Sequence, residues 1–351
     1  MPTCAFVSFR LGMADGVSVV ARNWQRALEQ LGFATYTVAG DGPVVRTVPG
    51  LALGATDGPG PAEVEAALAD ADLVIVENLC SIPLNLPAAR TVAAVLTDRP
   101  AILHHHDPPW QRERWAHVTE LPPRDPAWRH VTINRLTEAE MRDRGIEATC
   151  IYNGFPTATG PGDRAGVRGR LGVGADELLL AHPVRAIPRK DVPTAVRLAE
   201  ELGGTYWLWG PAEDGYDDEL ERILAGARCR VVRGTSDEAA IDLYRAADAV
   251  LFPSTWEGFG NPPVEAAIHR VPAAVGPYPV AAELVALGLR WYPTDDPEPL
   301  RRALRHPDRE RLEHNRRVAV EHLSLDAMRN AIADLLADAG WLPPGSRPSL
   351  A

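Results

Sequence analysis

Two carboxylates eight positions apart enclose a short run of constrained backbone in STWEGFGNPPVEAA, residues 254–267. Glu257 stands before two glycines, an asparagine and two prolines, and Glu265 stands after them. The preceding apolar run DAVLFPS is typical of a buried strand, and a proline suits the first turn of a helix. We therefore expect a strand, then a loop that carries Glu257, then a helix whose first turn carries Glu265.

The start of such a helix is a natural seat for an anion, because its amides are free and the positive end of the helix dipole lies there. Proline has no N–H, so the amide donors of this stretch are those of Phe259, Gly260, Asn261 and Val264. A carboxylate beside the seat repels the anion but accepts hydrogen bonds from hydroxyls attached to it. Two acids around a phosphate seat therefore indicate a nucleoside-diphosphate sugar. An alternative fits the spacing equally well, in which Glu265 complements the helix dipole and Glu257 is a solvated loop acid.

Short apolar runs alternate with amphipathic stretches on both sides of a segment rich in Gly, Pro and Thr. Before this segment, CAFVSF and DLVIVE are typical of strands, and GVSVVARNWQRALEQLG is typical of a helix. After it, ELLLAHP and DAVLFPS are typical of strands, and DVPTAVRLAEELG and DEAAIDLYRAA of helices. We expect two doubly wound α/β units with parallel sheets, joined by a linker at residues 151–166.

Composition narrows the class of protein. The 351 residues exceed one ordinary core, and their formal charge of −11 argues against binding to nucleic acid or anionic lipid. No run reaches the roughly 18 apolar residues of a membrane span, and the start MPTCAFVSFRL lacks the features of a secretory signal. The four cysteines have no paired spacing, so neither a zinc site nor a disulfide framework is predicted. We expect a cytoplasmic protein without nucleic-acid partners or membrane association.

The stretch EGFGNPPVEA resembles the Glu-x7-Glu signature of the large family of retaining glycosyltransferases that includes sucrose and glycogen synthases and mannosyltransferases. PVRAIPRKDV is similar to the family's arginine–lysine motif, and GTSDEAAIDLYRAADAVLFPS to its approach to the acidic loop. YNGF and HHHDPP resemble the entry to its second domain and the end of a first-domain strand. The resemblance implies the GT-B fold, in which two Rossmann-like doubly wound α/β domains face each other across a cleft.

The resemblance also implies a division of labour. Residues 1–155 would form the acceptor-side domain and residues 156–322 the donor-side domain, with a helix at about 325–340 packing back on the first domain. The enzyme would move a sugar from a nucleoside-diphosphate sugar to an acceptor hydroxyl, without a metal or another cofactor. Retention would follow a front-face displacement that needs no covalent protein nucleophile.

Roles follow for individual residues by the same resemblance. Arg185 and Lys190 would face the pyrophosphate, since the leaving diphosphate gains negative charge. Glu265 would hold the ribose hydroxyls and Glu257 the hydroxyls of the transferred sugar. The amides lining the sugar and phosphates would be those of Phe259, Gly260 and Asn261. Gly16 would lie against the phosphates at the start of the first helix. Arg189, in contrast, suits a solvated basic turn.

The run HHHD at residues 104–107 invites a metal interpretation. Alternation along a strand sends His104 and His106 to one face and His105 to the other, so three histidines do not converge on a metal ion. The resemblance places His106 near the reactive carbon of the sugar, with Asp107 as its neighbour, and leaves His104 and His105 as packing residues.

The acceptor side offers three weaker candidates: Asp107, Asp15 and Trp110. Asp15 occupies a position where the family often has glycine. Trp110, with Trp115 and Trp128, lies among arginines, and such tryptophans suit stacking on a sugar or packing of a loop equally well.

Other functions of the same fold remain open. A GT-B sugar-nucleotide epimerase or phosphorylase would need its own catalytic acids or a cofactor lysine. A non-catalytic nucleotide-sugar-binding subunit would not need the full set of Arg185, Lys190, Glu257 and Glu265. A glycoside hydrolase is disfavoured, because a phosphate seat has no purpose in it.

Overall fold

The computed structural model describes three stretches of the chain, which are residues 1–13, 15–234 and 240–345. The chain divides into two compact units. Unit 1 comprises Met1–Gly154 together with Leu325–Ala351, and unit 2 comprises Phe155–Ser324. The start of the helix predicted from DEAAIDLYRAA, at residues 237–239, lies outside the described residues.

Unit 1 is built on a sheet whose described strands all run parallel, in the order β3-β2-β1-β4-β5-β6-β7. The strands, numbered along the chain, are β1 (Thr3–Arg10), β2 (Ala34–Asp41), β3 (Arg46–Thr47), β4 (Leu73–Glu77), β5 (Ala101–His105), β6 (Trp128–Thr132) and β7 (Ala148–Cys150). The register of β4 and β5 pairs Glu77 with His104 at the carboxyl ends of both strands. This pairing places an acid beside the histidine run.

Helices cover both faces of this sheet. They are α1 (Gly16–Gln30), α2 (Pro61–Ala67), α3 (Leu86–Leu96), α4 (Arg135–Asp143) and, from the far end of the chain, α13 (Leu325–Asp338). Trp24 of α1 and Ile332 of α13 share one buried apolar cluster with Phe6 of β1. Val64 of α2 and Val92 of α3 belong to a second cluster on the other face. Alternating side chains of the strands supply both clusters, as expected for a doubly wound sheet.

Unit 2 repeats this plan with a smaller parallel sheet, in the order β10-β9-β8-β11-β12 over the described residues. Its strands are β8 (Leu179–His182), β9 (Thr205–Leu208), β10 (Val231–Arg233), β11 (Ala249–Phe252) and β12 (Ala273–Val275). Its helices are α5 (Arg164–Arg170), α6 (Val192–Leu202), α7 (Asp217–Ala225), α8 (Ala240–Ala246), α9 (Asn261–His269), α10 (Pro279–Ala286), α11 (Glu298–Arg305) and α12 (Arg309–Leu323). The prediction of an α/β protein with two parallel sheets is confirmed.

The predicted linker is shorter than expected. Its last residues already belong to α5, because Asp163 caps that helix by accepting a hydrogen bond from the amide of Gly166 at 2.8 Å. In the described part of the chain, every helix is too short or too polar to cross a bilayer.

Replacing Ile332 with alanine tests the contribution of α13 to the unit 1 core. Ile332 is fully buried, so the variant should lower the free energy of unfolding of unit 1 by about 2–5 kcal/mol. Asp334→Ala is the matched control, since Asp334 lies exposed on the same helix. Amide hydrogen exchange in β1 and β5 measures both effects. Equal losses in the two variants would contradict the packing described here.

Candidate functional site

Glu257 is the centre of a charged cluster in unit 2, in the loop that follows β11. Its side chain is buried, and its two carboxylate oxygens accept hydrogen bonds from Lys190 Nζ at 2.5 Å and from Arg189 Nη1 at 2.7 Å. Burial raises the pKa of Glu257, but the charges of Lys190 and Arg189 outweigh burial and hold the pKa below its usual value. The carboxylate is therefore ionised at neutral pH.

The two cations come from the turn that follows β8. Residues 188–190 form a single 3-10 turn, and Asp191 then adopts the left-handed region at a φ of 51° before its side chain caps α6. Burial lowers the pKa of Lys190 to about 8 although Glu257 opposes this shift. Lys190 thus keeps its charge at neutral pH but holds its proton less firmly than an exposed lysine does.

Arg189 is not the solvated residue that the sequence suggested. Its guanidinium also donates to the carbonyl oxygen of Trp256 at 2.7 Å, and its own carbonyl accepts a hydrogen bond from the Thr255 amide at 2.9 Å. Arg185 instead pairs with Glu213 at 2.6 Å, where both side chains are largely exposed. The cation that contacts Glu257 together with Lys190 is therefore Arg189 rather than Arg185.

The loop between Glu257 and α9 depends on a glycine. Gly260 has a φ of +106°, and a Cβ added there would collide with the hydroxyl of Tyr278. That hydroxyl donates a hydrogen bond to the carbonyl of Phe259 at 3.3 Å, and Phe259 is buried. Gly260 therefore sets the direction of the chain as α9 begins at Asn261, and being a glycine it offers no side chain to cap the helix.

Glu265 lies just past the first turn of α9, where it was predicted, since it is the fifth helical residue. Tyr244 donates its hydroxyl to Glu265 Oε2 at 2.5 Å, and the Tyr244 ring stacks on His269 with centroids 5.2 Å apart. Burial raises the pKa of Glu265, and the hydrogen bond from Tyr244 only partly offsets this rise. The sequence analysis missed Tyr244, whose only signal was its place in the family-like stretch before the acidic loop.

A second cluster lies in unit 1, where β4 and β5 end. Glu77 Oε2 is 2.9 Å from His106 Nε2 and 3.0 Å from His104 Nδ1, and all three side chains are buried. Burial raises the pKa of Glu77, but the two imidazoles outweigh it and lower the pKa to about 2. Burial also lowers the pKa of His104. The carboxylate is thus ionised and held by two imidazoles.

His105 points the other way, as strand alternation predicted. Its Nδ1 is 2.5 Å from Ser81 Oγ and its Nε2 is 2.9 Å from His130 Nδ1. Sequence analysis missed Glu77, the partner of His104 and His106. Its only sequence signal is its place at the end of the predicted strand DLVIVE. Among the described residues, one group has ligand atoms close enough together to hold a metal ion. It consists of Glu77, His104 and His106, whose ligand atoms lie within 4.8 Å of one another.

The start of α1 contains two predicted residues. Asp15 caps the helix, because its carboxylate accepts from the Ser18 amide at 3.1 Å and from the Ser18 hydroxyl at 2.9 Å. Arg10 lies 3.5 Å from the same carboxylate. Gly16 is the first helical residue, and a Cβ added there would meet no described atom within 4 Å. Asp15 therefore has a structural role, whereas the space beside Gly16 is open.

The remaining acceptor-side candidates are engaged within unit 1. Asp107 pairs with Arg112 and also contacts the Asn78 amide. Trp110 donates its indole N–H to Glu140 at 2.8 Å, and Arg144 lies 4.3 Å from the centre of its ring. Trp128 is buried on β6 and belongs to the core. For Trp110 and Trp128, the structure thus favours packing over an open stacking surface.

Replacing Gly260 with alanine tests the geometry of the loop. The left-handed backbone and the collision with Tyr278 should together destabilise unit 2 by about 1–3 kcal/mol. Gly169→Ala in α5 is the control, because a Cβ there meets nothing within 4 Å, and it should be neutral or stabilising by up to about 1 kcal/mol. Hydrogen exchange in β11 and α9 reports both changes, and a tolerated Gly260→Ala would refute this account of the loop.

Comparisons with known proteins agree with this architecture. Residues 179–321 match the family model described as "Glycosyl transferases group 1". The chain is 24% identical to mannosylglucosylglycerate synthase of Petrotoga mobilis, over 80% of this chain and 83% of that protein. It is 37% identical to D-inositol 3-phosphate glycosyltransferase of Mycobacteroides abscessus, over 37% of this chain and 32% of that protein.

Among solved structures, HepE of Anabaena, crystallised with UDP and glucose, superposes with a TM-score of 0.73 over 96% of this chain and 100% of that one. The sequence identity is 18%, so this likeness shows the fold. The expected GT-B fold is confirmed.

Proposed function

We propose that this chain, whose residues 179–321 form a group 1 glycosyltransferase domain, moves a sugar from a nucleoside-diphosphate sugar to an acceptor hydroxyl with retention of configuration. The observation that carries the proposal is the pairing of buried Glu257 with Lys190 and Arg189, in the loop that leads into the uncapped start of α9 at Asn261. Two partly buried cations beside a loop that ends in a helix N-terminus suit a diphosphate.

Lys190 and Arg189 would stabilise the leaving group. As the glycosidic bond breaks, the diphosphate gains negative charge, and cations fixed in advance lower the barrier without reorganising. A phosphate beside Lys190 would also raise its pKa from about 8 and hold its proton in place. In this proposal the protein's own cations meet the diphosphate charge, so transfer would not require a metal ion. Arg185 is assigned to the same diphosphate by family resemblance.

Glu265 would bind the ribose. Tyr244 occupies Oε2 of its carboxylate, which leaves Oε1 to accept hydrogen bonds from ribose hydroxyls. Since the pKa of Glu265 is raised, nucleotide binding should weaken as the pH falls and the carboxyl becomes protonated. The amides of Gly260, Asn261 and Phe259 would line the sugar and phosphates. Gly16, with its open surroundings, is assigned to the phosphates by resemblance.

Glu257 would contact hydroxyls of the transferred sugar, and His106 of unit 1 would lie near its reactive carbon. Both roles follow the family resemblance. The names of the two relatives, which denote a glycosylglycerate synthase and an inositol phosphate glycosyltransferase, support a small hydroxylated acceptor. The four cysteines have no paired spacing in the sequence, which suits the reducing cytoplasm where we place the protein.

A donor panel tests the function. The protein is treated with EDTA and incubated with UDP-, GDP-, ADP- and dTDP-linked sugars, and nucleotide release is measured with and without small polyols and their phosphates. We expect a preferred base, release that depends on the acceptor, and a product with the donor's anomeric configuration. Isomerisation of the donor without release would indicate an epimerase, and release of a sugar phosphate would indicate a phosphorylase. Complete loss of diphosphate binding after chelation would refute metal independence.

Glutamine substitutions separate the two acids. Glu265→Gln should weaken free nucleotide and nucleotide-sugar alike, by about 1–3 kcal/mol, because both contain the ribose. Glu257→Gln should not weaken free nucleotide, because it removes a carboxylate that competes for Lys190 and Arg189, and it should lower turnover, because the sugar contact must persist through bond breakage. Calorimetry measures affinity and nucleotide release measures turnover, with Glu221→Gln as an exposed control in unit 2. Equal losses of free nucleotide affinity in both variants would overturn the assignment.

A further inference from the structure

Among the described residues, the buried, negatively charged carboxylate of Glu77 is paired with two histidines and with neither a lysine nor an arginine. Glu77 is fully buried at the end of β4, and its pKa is lowered to about 2 by His104 and His106 rather than by a lysine or arginine. Both imidazoles approach the same oxygen, Oε2, while Oε1 has no hydrogen-bond partner. Such a carboxylate costs free energy to bury, so its contacts with the two rings need an explanation.

We propose that Glu77 is a positioning residue that fixes the ring and the tautomer of His106, so that Nε2 carries the proton and Nδ1 is left as a hydrogen-bond acceptor. The expected effect of Glu77 on turnover rests on the proposed function, in which His106 lies at the sugar. The tautomer of His106 does not depend on that function. Nδ1 would then accept a hydrogen bond from a hydroxyl group of the transferred sugar.

The tautomer of neutral His106 follows from which of its nitrogens faces Glu77. The ring has a single N–H, and the nitrogen that faces a carboxylate oxygen must carry it in order to donate. His106 Nε2 is 2.9 Å from Glu77 Oε2, which is the length of a hydrogen bond between a nitrogen donor and a carboxylate. Nδ1 is then unprotonated.

The backbone beside Glu77 reinforces this arrangement. Asn78 adopts the left-handed region at a φ of 59° and accepts hydrogen bonds through Oδ1 from the amides of His106 and Asp107, both at 3.1 Å. Its own amide donates to the carbonyl of His104 at 2.9 Å. Two consecutive residues, Glu77 and Asn78, therefore hold His106 by its side chain and by its main chain.

His104 keeps the carboxylate in place. Its Nδ1 lies 3.0 Å from Oε2, and the Trp24 ring packs on its imidazole with centroids 4.5 Å apart. Burial lowers the pKa of His104, so this ring is neutral at neutral pH. His104 therefore lies against the same oxygen of Glu77 as His106 does.

The test compares Glu77→Ala with Glu77→Gln. Glutamine can place its carbonyl oxygen where Oε2 lies and accept from both rings, whereas alanine cannot. Nitrogen-15 NMR of histidine-labelled protein, with the His106 signal identified by its loss in His106→Gln, reports the tautomer directly. We expect the Nε2–H form in the parent and in Glu77→Gln, and a mixture of forms in Glu77→Ala.

Turnover gives the second readout. Glu77→Ala should lower kcat on the order of 10- to 100-fold with little change in donor KM, and Glu77→Gln should recover most of it. Glu120→Gln, which removes an exposed carboxylate of unit 1 paired with Arg90, should match the parent. Should Glu77→Ala fold poorly, the tautomer of the parent and of Glu77→Gln still decides the question.

Three results would overturn the inference: an Nδ1–H tautomer in the parent, an unchanged tautomer in folded Glu77→Ala, or stoichiometric zinc binding to the parent that Glu77→Ala abolishes. The last would mean that a metal ion, rather than a proton, joins the three side chains. Because the NMR measurement needs no substrate, it gives its answer even if no donor is ever turned over, and so separates this inference from the proposed function.

Discussion

The buried carboxylate of Glu257 is the constraint on which the loops after β8 and β11 depend. An ionised side chain out of water costs several kcal/mol unless it is well paired, and here Lys190 and Arg189 each take one of its oxygens. The Thr255 amide adds a main-chain bond to the carbonyl of Arg189. The turn after β8 and the loop after β11 are thereby tied together. In the proposed function, a phosphate would meet cations that Glu257 already holds in position.

Each unit buries a carboxylate, but the groups that pair with the carboxylate differ between the two units. In each, the carboxylate comes from the end of one strand and its partners from the end of a neighbouring strand: β11 and β8 in unit 2, β4 and β5 in unit 1. In unit 2 the partners of Glu257 are two cations, Lys190 and Arg189. In unit 1 the partners of Glu77 are two imidazoles, those of His104 and His106. Both clusters lie where open α/β sheets usually bind ligands, at the carboxyl ends of their strands.

Local patterns in the sequence were enough to predict the alternating elements, the parallel sheets and the opposite directions of His105 and His106. They could not predict contacts that depend on strand order and register. Glu77 meets His104 only because β4 pairs with β5, and Arg189 meets Glu257 only because β8 adjoins β11. Glu265 lies just past the first turn in which it was predicted, because it is the fifth residue of a helix that begins at Asn261. Asp15 proved to be a helix cap, which its spacing to Ser18 could have indicated.

The return of α13 to unit 1 has a consequence for synthesis on the ribosome. Ile332 and Met328 complete the same apolar cluster as Ile75 and Ile102, yet they are translated only after all of unit 2. At usual elongation rates the interval between Gly154 and Leu325 is on the order of 10–30 s. During that time the first sheet has α1 on this face but lacks α13, and unit 2 has its whole sequence before α13 is made. The unit that is made first is therefore the one that is completed last.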